Sequence, residues 1–269
     1  MIFRLFPLFL NHNMNASKFF LQKYSKKLTF HHFFPIFYVI LHLIMKKIIY
    51  NRFNKAWLED LPRVVYNGKI IVVTSPYEAE KAVDYLLSMP ILGVDTETRP
   101  SFTKNQHYKC SLLQVATHHN CFLFRLNYLG MSPAIVRFLE DTKVPKVGLS
   151  WHDDIHSLHE LGPFEPGNFI DLQHHMRDIG IEDLSLQKLY ANLFGERISK
   201  AERLSNWERD VLQEKQMTYA AIDAWACIRL YEELVRLKES GDYELIDEQT
   251  ELEIEEDFKL YEELAAQKR

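Results

Sequence analysis

From residue 45 onward, short apolar runs alternate with stretches of helical spacing. Residues 69–74 (KIIVVT) predict a strand, after which Ser75-Pro76 opens a helix across EAEKAVDYLLSM. Ser75 suits the N-cap, Pro76 the first helical position and Glu78 the third, the signature of a capping box; Pro90 stops the helix. Three apolar runs separated by turns follow at 91–96, 111–117 and 121–126. They predict an antiparallel meander with His118-His119-Asn120 at a hairpin tip, where the imidazoles are read as solvated. A short helix over 133–141 and a buried strand over 145–150 come next, then a helix over 153–161 and a short strand over 168–172. Helical spacing returns over 185–194, 206–214 and, at greatest length, 216–237. Strands first, then strands alternating with helices, predict an α/β or α+β sheet flanked by helices and without internal repeats.

The two ends depart from this pattern. Residues 1–44 are rich in Phe, Leu, Ile, Asn, Lys and His, and carry five bases (Arg4, Lys18, Lys23, Lys26, Lys27) but no acid. Their apolar stretch, 28–44, is no longer than the shortest membrane spans and is interrupted by His31, His32, Pro35 and His42. No small-residue cleavage site marks a secretory signal. An over-extended start at Met1 is expected, in preference to a membrane anchor or a disordered leader. Residues 45–67 then lead into the domain, and a membrane partner is expected only if 1–44 are genuine. Beyond Lys238 the chain turns acidic, and 239–269 are expected to form a solvated helical tail.

Apolar content of 47% and charged content of 26% fit a cored globular domain with extensions. The formal charge of −5 understates the acidity, because without the leader 27 bases face 37 acids. That balance excludes a protein that coats nucleic acid by broad phosphate neutralisation, but not one that grips a few terminal nucleotides. Cys110, Cys121 and Cys227 lack metal-ligand spacing and read as buried, reduced thiols, which suits a cytoplasmic protein.

The chemistry lies in Asp95, Glu97, Asp154, Tyr219 and Asp223. In a strand, residues two apart share a face, so Asp95 and Glu97 project together from the end of the 91–96 run while Val94 and Thr96 face the other way. Tyr219 and Asp223, four apart in the long helix, also share a face. Asp154 begins the helix after the 145–150 strand. Carboxylates brought this close repel unless a cation lies between them, and a pair of divalent ions doing so is the usual basis of phosphoryl transfer. Oxygen ligands suit Mg²⁺ or Mn²⁺ rather than zinc, and no organic cofactor is indicated.

Each motif alone is weak, but order, spacing and context agree. ILGVDTETRPSF, SLLQVAT, PKVGLSWHDDIHSL and YAAIDAWACIRLYEEL resemble the DEDDy branch of the DnaQ-like 3′–5′ exonucleases. IDLQ at 170–173, LSLQKLYANLFG at 184–195 and KAERLSNWE at 200–208 agree with it. The resemblance covers residues 68–238 and implies an α/β, ribonuclease H-like fold with a mixed central sheet. Asp95 and Glu97 match the first exonuclease motif, Asp154 the second, and Tyr219 with Asp223 the third. Thr218 stands where the sibling branch has histidine. By the same resemblance one ion is assigned to Asp95, Glu97 and Asp223. A second is assigned mainly to Asp95, with Asp154 acting through bound water and Tyr219 orienting the nucleophile. The implied substrate is a nucleic-acid 3′ end, DNA ahead of RNA. Arg99, Phe102, Lys104, Tyr108, Lys109, Lys200 and Arg203 are candidate substrate contacts. The competing expectation is a binding or interaction module that kept the fold and lost turnover.

Overall fold

The computed structural model describes residues 46–247, so the leader and the chain beyond 247 lie outside the described residues. By packing, the chain divides into two units. One is Phe53–Lys238; the described part of the other is residues 46–52 with 239–247.

The order of elements follows the predicted alternation closely. After β1 (Lys47–Tyr50) and a 3₁₀ turn at Lys55–Asp60 come β2 (Lys69–Val73) and α1 (Pro76–Leu86). The capping box is present, with Ser75 accepting from the Glu78 N–H and Glu78 accepting from the Ser75 N–H. The meander is β3 (Leu92–Thr98), β4 (Cys110–Ala116) and β5 (Asn120–Arg125). Then follow α2 (Leu126–Leu129), α3 (Pro133–Glu140), β6 (Lys146–Gly148), α4 (Trp151–His159) and β7 (Phe169–Asp171). The chain continues through α5 (Leu172–Asp178), α6 (Leu186–Phe194), α7 (Glu214–Ser240) and β8 (Tyr243–Ile246).

In the larger unit the strands form one mixed sheet in the order β2-β5-β4-β3-β6-β7. β4 runs antiparallel to both neighbours, while β2–β5, β3–β6 and β6–β7 are parallel. One face of the sheet, with Val73, Leu92, Val94, Leu113, Val115, Phe122 and Phe124, packs a buried core against α1 and α3. The long helix α7 lies on the opposite face. There Gly93 permits an unusually close approach, since a Cβ at this position would run into the Ala224 carbonyl and the Ile228 side chain.

Two expectations are corrected. Residues 206–213 are turns, bends and irregular chain rather than a helix, and Glu214 already opens α7. The buried Arg125 guanidinium donates to the backbone carbonyls of Arg209 and Asp210, and the Tyr128 hydroxyl also donates to Asp210, so these acceptors are drawn away from an intrahelical ladder. Within the expected acidic helix, 243–246 form a strand: Gly241, at φ 67°, ends α7, and β8 then pairs in parallel with β1. Thr96 alternates with Asp95 and Glu97 along β3 as expected, and its hydroxyl donates to Asp154. Among the described residues no helix is long and apolar enough to cross a membrane.

Candidate active site

Asp95 and Glu97 stand on one face of β3, and α7 is held to that face at Gly93. Asp223 immediately precedes Ala224, whose carbonyl makes the close approach, and is thereby carried to the same point. One oxygen from each of Asp95, Glu97 and Asp223 lies within 4.8 Å of the others. A β-bulge lies at this end of the strand. Glu97 pairs with Leu112 but Thr98 with Cys110, leaving Ser111 as the extra residue, and its hydroxyl donates to the Glu97 carbonyl at 3.3 Å. Such a bulge bends the strand end and re-aims its side chains.

The electrostatics follow from burial and like charge. Burial, then the charges of Asp154 and Asp223, push Asp95 well above the ordinary carboxylate range. Burial, then the charges of Asp95, Asp223 and Asp154, raise Glu97 to about 10, with Arg203 pulling it down. Asp223 rises to about 7 through burial, while the Tyr219 hydroxyl and Lys200 hold it lower than burial alone would. Tyr219 is itself pushed up, by burial and then by Asp223 and Glu97, so its phenol stays protonated. The Asp223 Oδ1 is enclosed without a hydrogen-bond partner. Three hard oxygen ligands that repel each other, one of them orphaned, fit a divalent cation bound among them.

Asp154 lies outside that three-carboxylate cluster but close enough for its charge to raise both Asp95 and Glu97. Its own pKa is about 6, raised by burial and moderated by the Thr96 hydrogen bond. Its helix is set by Asp171. The Asp171 carboxylate accepts from the N–H groups of Ser150 (3.1 Å), Trp151 (3.0 Å) and Gln173 (2.9 Å). It thus secures the left-handed turn at Ser150, φ 59°, that leads from β6 into α4.

The substrate candidates separate into two groups. Lys200 and Arg203 reach the cluster electrostatically, acting on Asp223 and Glu97 respectively. Arg99 is engaged by Glu208 at 3.2 Å and lies 4.5 Å over the Tyr108 ring. Phe102, 81% exposed, and the exposed Lys104 and Lys109 sit on the loop that leaves the Glu97 end of β3. Tyr219 backs onto the fully buried Trp207, with ring centroids 6.0 Å apart.

The sequence reading passed over Thr96, Asp171 and Gln114. Gln114 stands directly opposite Asp95 on β4, is 0% exposed, and has neither amide atom partnered. Its signal was a polar residue in the middle of the apolar run SLLQVAT.

A sequence model of the 3′-5′ exonuclease family matches residues 70–238. The chain is 35% identical over 131 residues to exonuclease 3′-5′ domain-containing protein 2 of Drosophila melanogaster, a match covering 47% of this chain and 22% of the fly protein. It is 26% identical over 210 residues to a 3′-5′ exonuclease of Arabidopsis thaliana, covering 71% and 73% of the two chains. The match therefore spans less than a quarter of the fly protein but most of the plant one. Among solved structures, Escherichia coli RNase D superposes with a TM-score of 0.56 at 20% identity, covering 65% of this chain and 46% of that one. The mixed sheet with its antiparallel β4 is the ribonuclease H-like fold. With more than half of its length matched to that family, the chain belongs to the 3′-5′ exonucleases, of the DEDDy type.

Proposed function

We propose that the chain is a metal-dependent 3′–5′ exonuclease that removes nucleoside 5′-monophosphates from nucleic-acid 3′ ends. The observation that carries this reading is the convergence of three acids from a strand and a helix, Glu97 and Asp223 buried and Asp95 half-buried. These three, with Asp154 at the edge, would hold Mg²⁺ or Mn²⁺, two ions in all. When bound, the metal lowers the pKa of attacking water and offsets charge on the phosphodiester. Tyr219, protonated and braced by Trp207, orients that water toward phosphorus. Lys200 and Arg203 supply positive charge beside the terminal phosphate, and Arg99, Tyr108, Phe102, Lys104 and Lys109 line the approach of the strand. Attack by water forms a new P–O bond and breaks the P–O3′ bond. The phosphate leaves with the terminal nucleoside, and the shortened strand keeps its 3′ hydroxyl.

A binding module without turnover is disfavoured, since it has no use for a repulsive, partly orphaned carboxylate cluster. DNA is proposed as the preferred strand, with RNA the alternative. Buried, unpaired Cys110, Cys121 and Cys227 support a reducing, cytoplasmic setting. The test is digestion of matched 3′-labelled single-stranded DNA, duplex DNA and RNA with Mg²⁺ or Mn²⁺. Mononucleotide release that stops with EDTA and in Asp95→Ala is expected. Undiminished hydrolysis in a folded Asp95→Ala protein would place the activity elsewhere.

A further inference from the structure

A cavity of about 480 Å³ lies on another face of α7. Trp225 and Arg229 line it; they follow Asp223 by two and six residues, which places both roughly opposite the carboxylates around the helix. The remaining walls come from residues 63–68 before β2, the β4–β5 hairpin tip, and Glu196 after α6. Two guanidiniums, Arg63 and Arg229, and the rings of His118 and His119 share this lining with one acid, Glu196, which stands 3.8 Å from Arg229.

The lining is organised before any ligand arrives. The Arg229 guanidinium packs over Phe194 at 4.3 Å and Trp225 at 5.0 Å, and donates to the Tyr190 hydroxyl. His118 pairs with Glu232 at 2.7 Å, tying the hairpin tip to α7 and leaving Arg63 and His119 for a guest. Tyr66 meets Trp225 edge to face, with centroids 5.9 Å apart. Gly68 makes this fit, because a Cβ there would strike the Tyr66 ring and the His119 carbonyl. Fixed guanidinium beside an aromatic corner recognises a planar ring carrying a phosphate, and the volume suits one such unit rather than a strand.

We propose that this cavity is a second site, separate from the exonuclease centre, that binds a mononucleotide. The base packs against Tyr66 and Trp225, and the phosphate pairs with Arg63, Arg229 and His119. The assignment does not depend on catalysis.

The test is calorimetric and fluorescence titration of the full chain with adenosine 5′-monophosphate in EDTA, beside inorganic phosphate and adenosine. Saturable binding with a Kd below about 1 mM is expected, with tryptophan quenching that disappears in Trp225→Phe. Binding should exceed that of phosphate or adenosine by about tenfold and fall by about tenfold in Arg63→Ala or His119→Ala, both exposed positions with unchanged melts. Asp95→Asn should leave it intact. Three results would overturn the proposal: no saturation at millimolar nucleotide, loss in Asp95→Asn with retention in Arg63→Ala, or tighter binding of a single-stranded oligonucleotide through the same residues.

Discussion

Replacing Asp223 with asparagine should make the metal-free protein more stable while abolishing its activity. Asp223, Asp95 and Glu97 present oxygens within 4.8 Å of one another. At that separation two full charges repel by roughly 3–4 kcal/mol at an effective dielectric constant of about 20. Asparagine ends two of the three repulsions. Protons already held by the cluster reduce the gain, so a net stabilisation of roughly 2–4 kcal/mol at about pH 8 in EDTA is expected. That corresponds to a rise in Tm of roughly 5–15 °C for a domain of this size. The pH dependence has a definite sign. Folded Asp223 titrates near 7 and Glu97 near 10, both above the value each has in the unfolded chain. The stability they contribute as protonated acids is complete below about pH 4 and is lost as pH rises through the folded values. The variant's advantage should therefore be small near pH 4 and fully developed by about pH 8. Added Mg²⁺ or Mn²⁺ should raise the parent's Tm well above the variant's rise. Urea and thermal melts at both pH values, with EDTA and with metal, measure all of this. A variant less stable than the parent at about pH 8 in EDTA would refute the reasoning, because the acids would then not be held against mutual repulsion.

Three further outcomes follow from neighbouring contacts. Gly93→Val should separate α7 from β3, lowering stability by about 3 kcal/mol or more and activity with it, as read from urea melts and 3′-label release. Thr96→Val removes the donor to Asp154; turnover should fall by about tenfold while the melt moves by no more than about 1 kcal/mol. Asp171→Asn weakens the acceptor shared by Ser150, Trp151 and Gln173. It should lower stability by about 2 kcal/mol, and hydrogen exchange should quicken at the first two amides.

The central sheet and the acid cluster were legible because both rest on short-range rules. Apolar runs bounded by turn residues mark β2 to β6, a capping box marks α1, and a two-residue period puts Asp95 beside Glu97. What escaped depends on distant partners. Nothing local in KIIY or YELI announces that they pair with each other. Residues 206–214 have helical spacing, yet Arg125, more than eighty positions earlier, captures their carbonyls. Strand alternation set Thr96 apart from Asp95 and Glu97, but nothing local announces that α4 brings Asp154 within reach of its hydroxyl. Among the proposed substrate contacts, sequence gave no sign that Arg99 would be engaged by Glu208 while Lys200 and Arg203 stayed near the acids.

The pairing of β1 with β8 has a consequence for biosynthesis. The ribosome makes Lys47 almost two hundred residues before its partner Tyr243. At about 5–20 residues per second, β1 waits roughly 10–40 s with its backbone unmatched. During that interval Ile48 and Ile49, buried in the finished protein, are available to other nascent chains or to chaperones. Translation speed, rather than the intrinsic folding rate of the sheet, would then set how long the newborn protein is prone to aggregate.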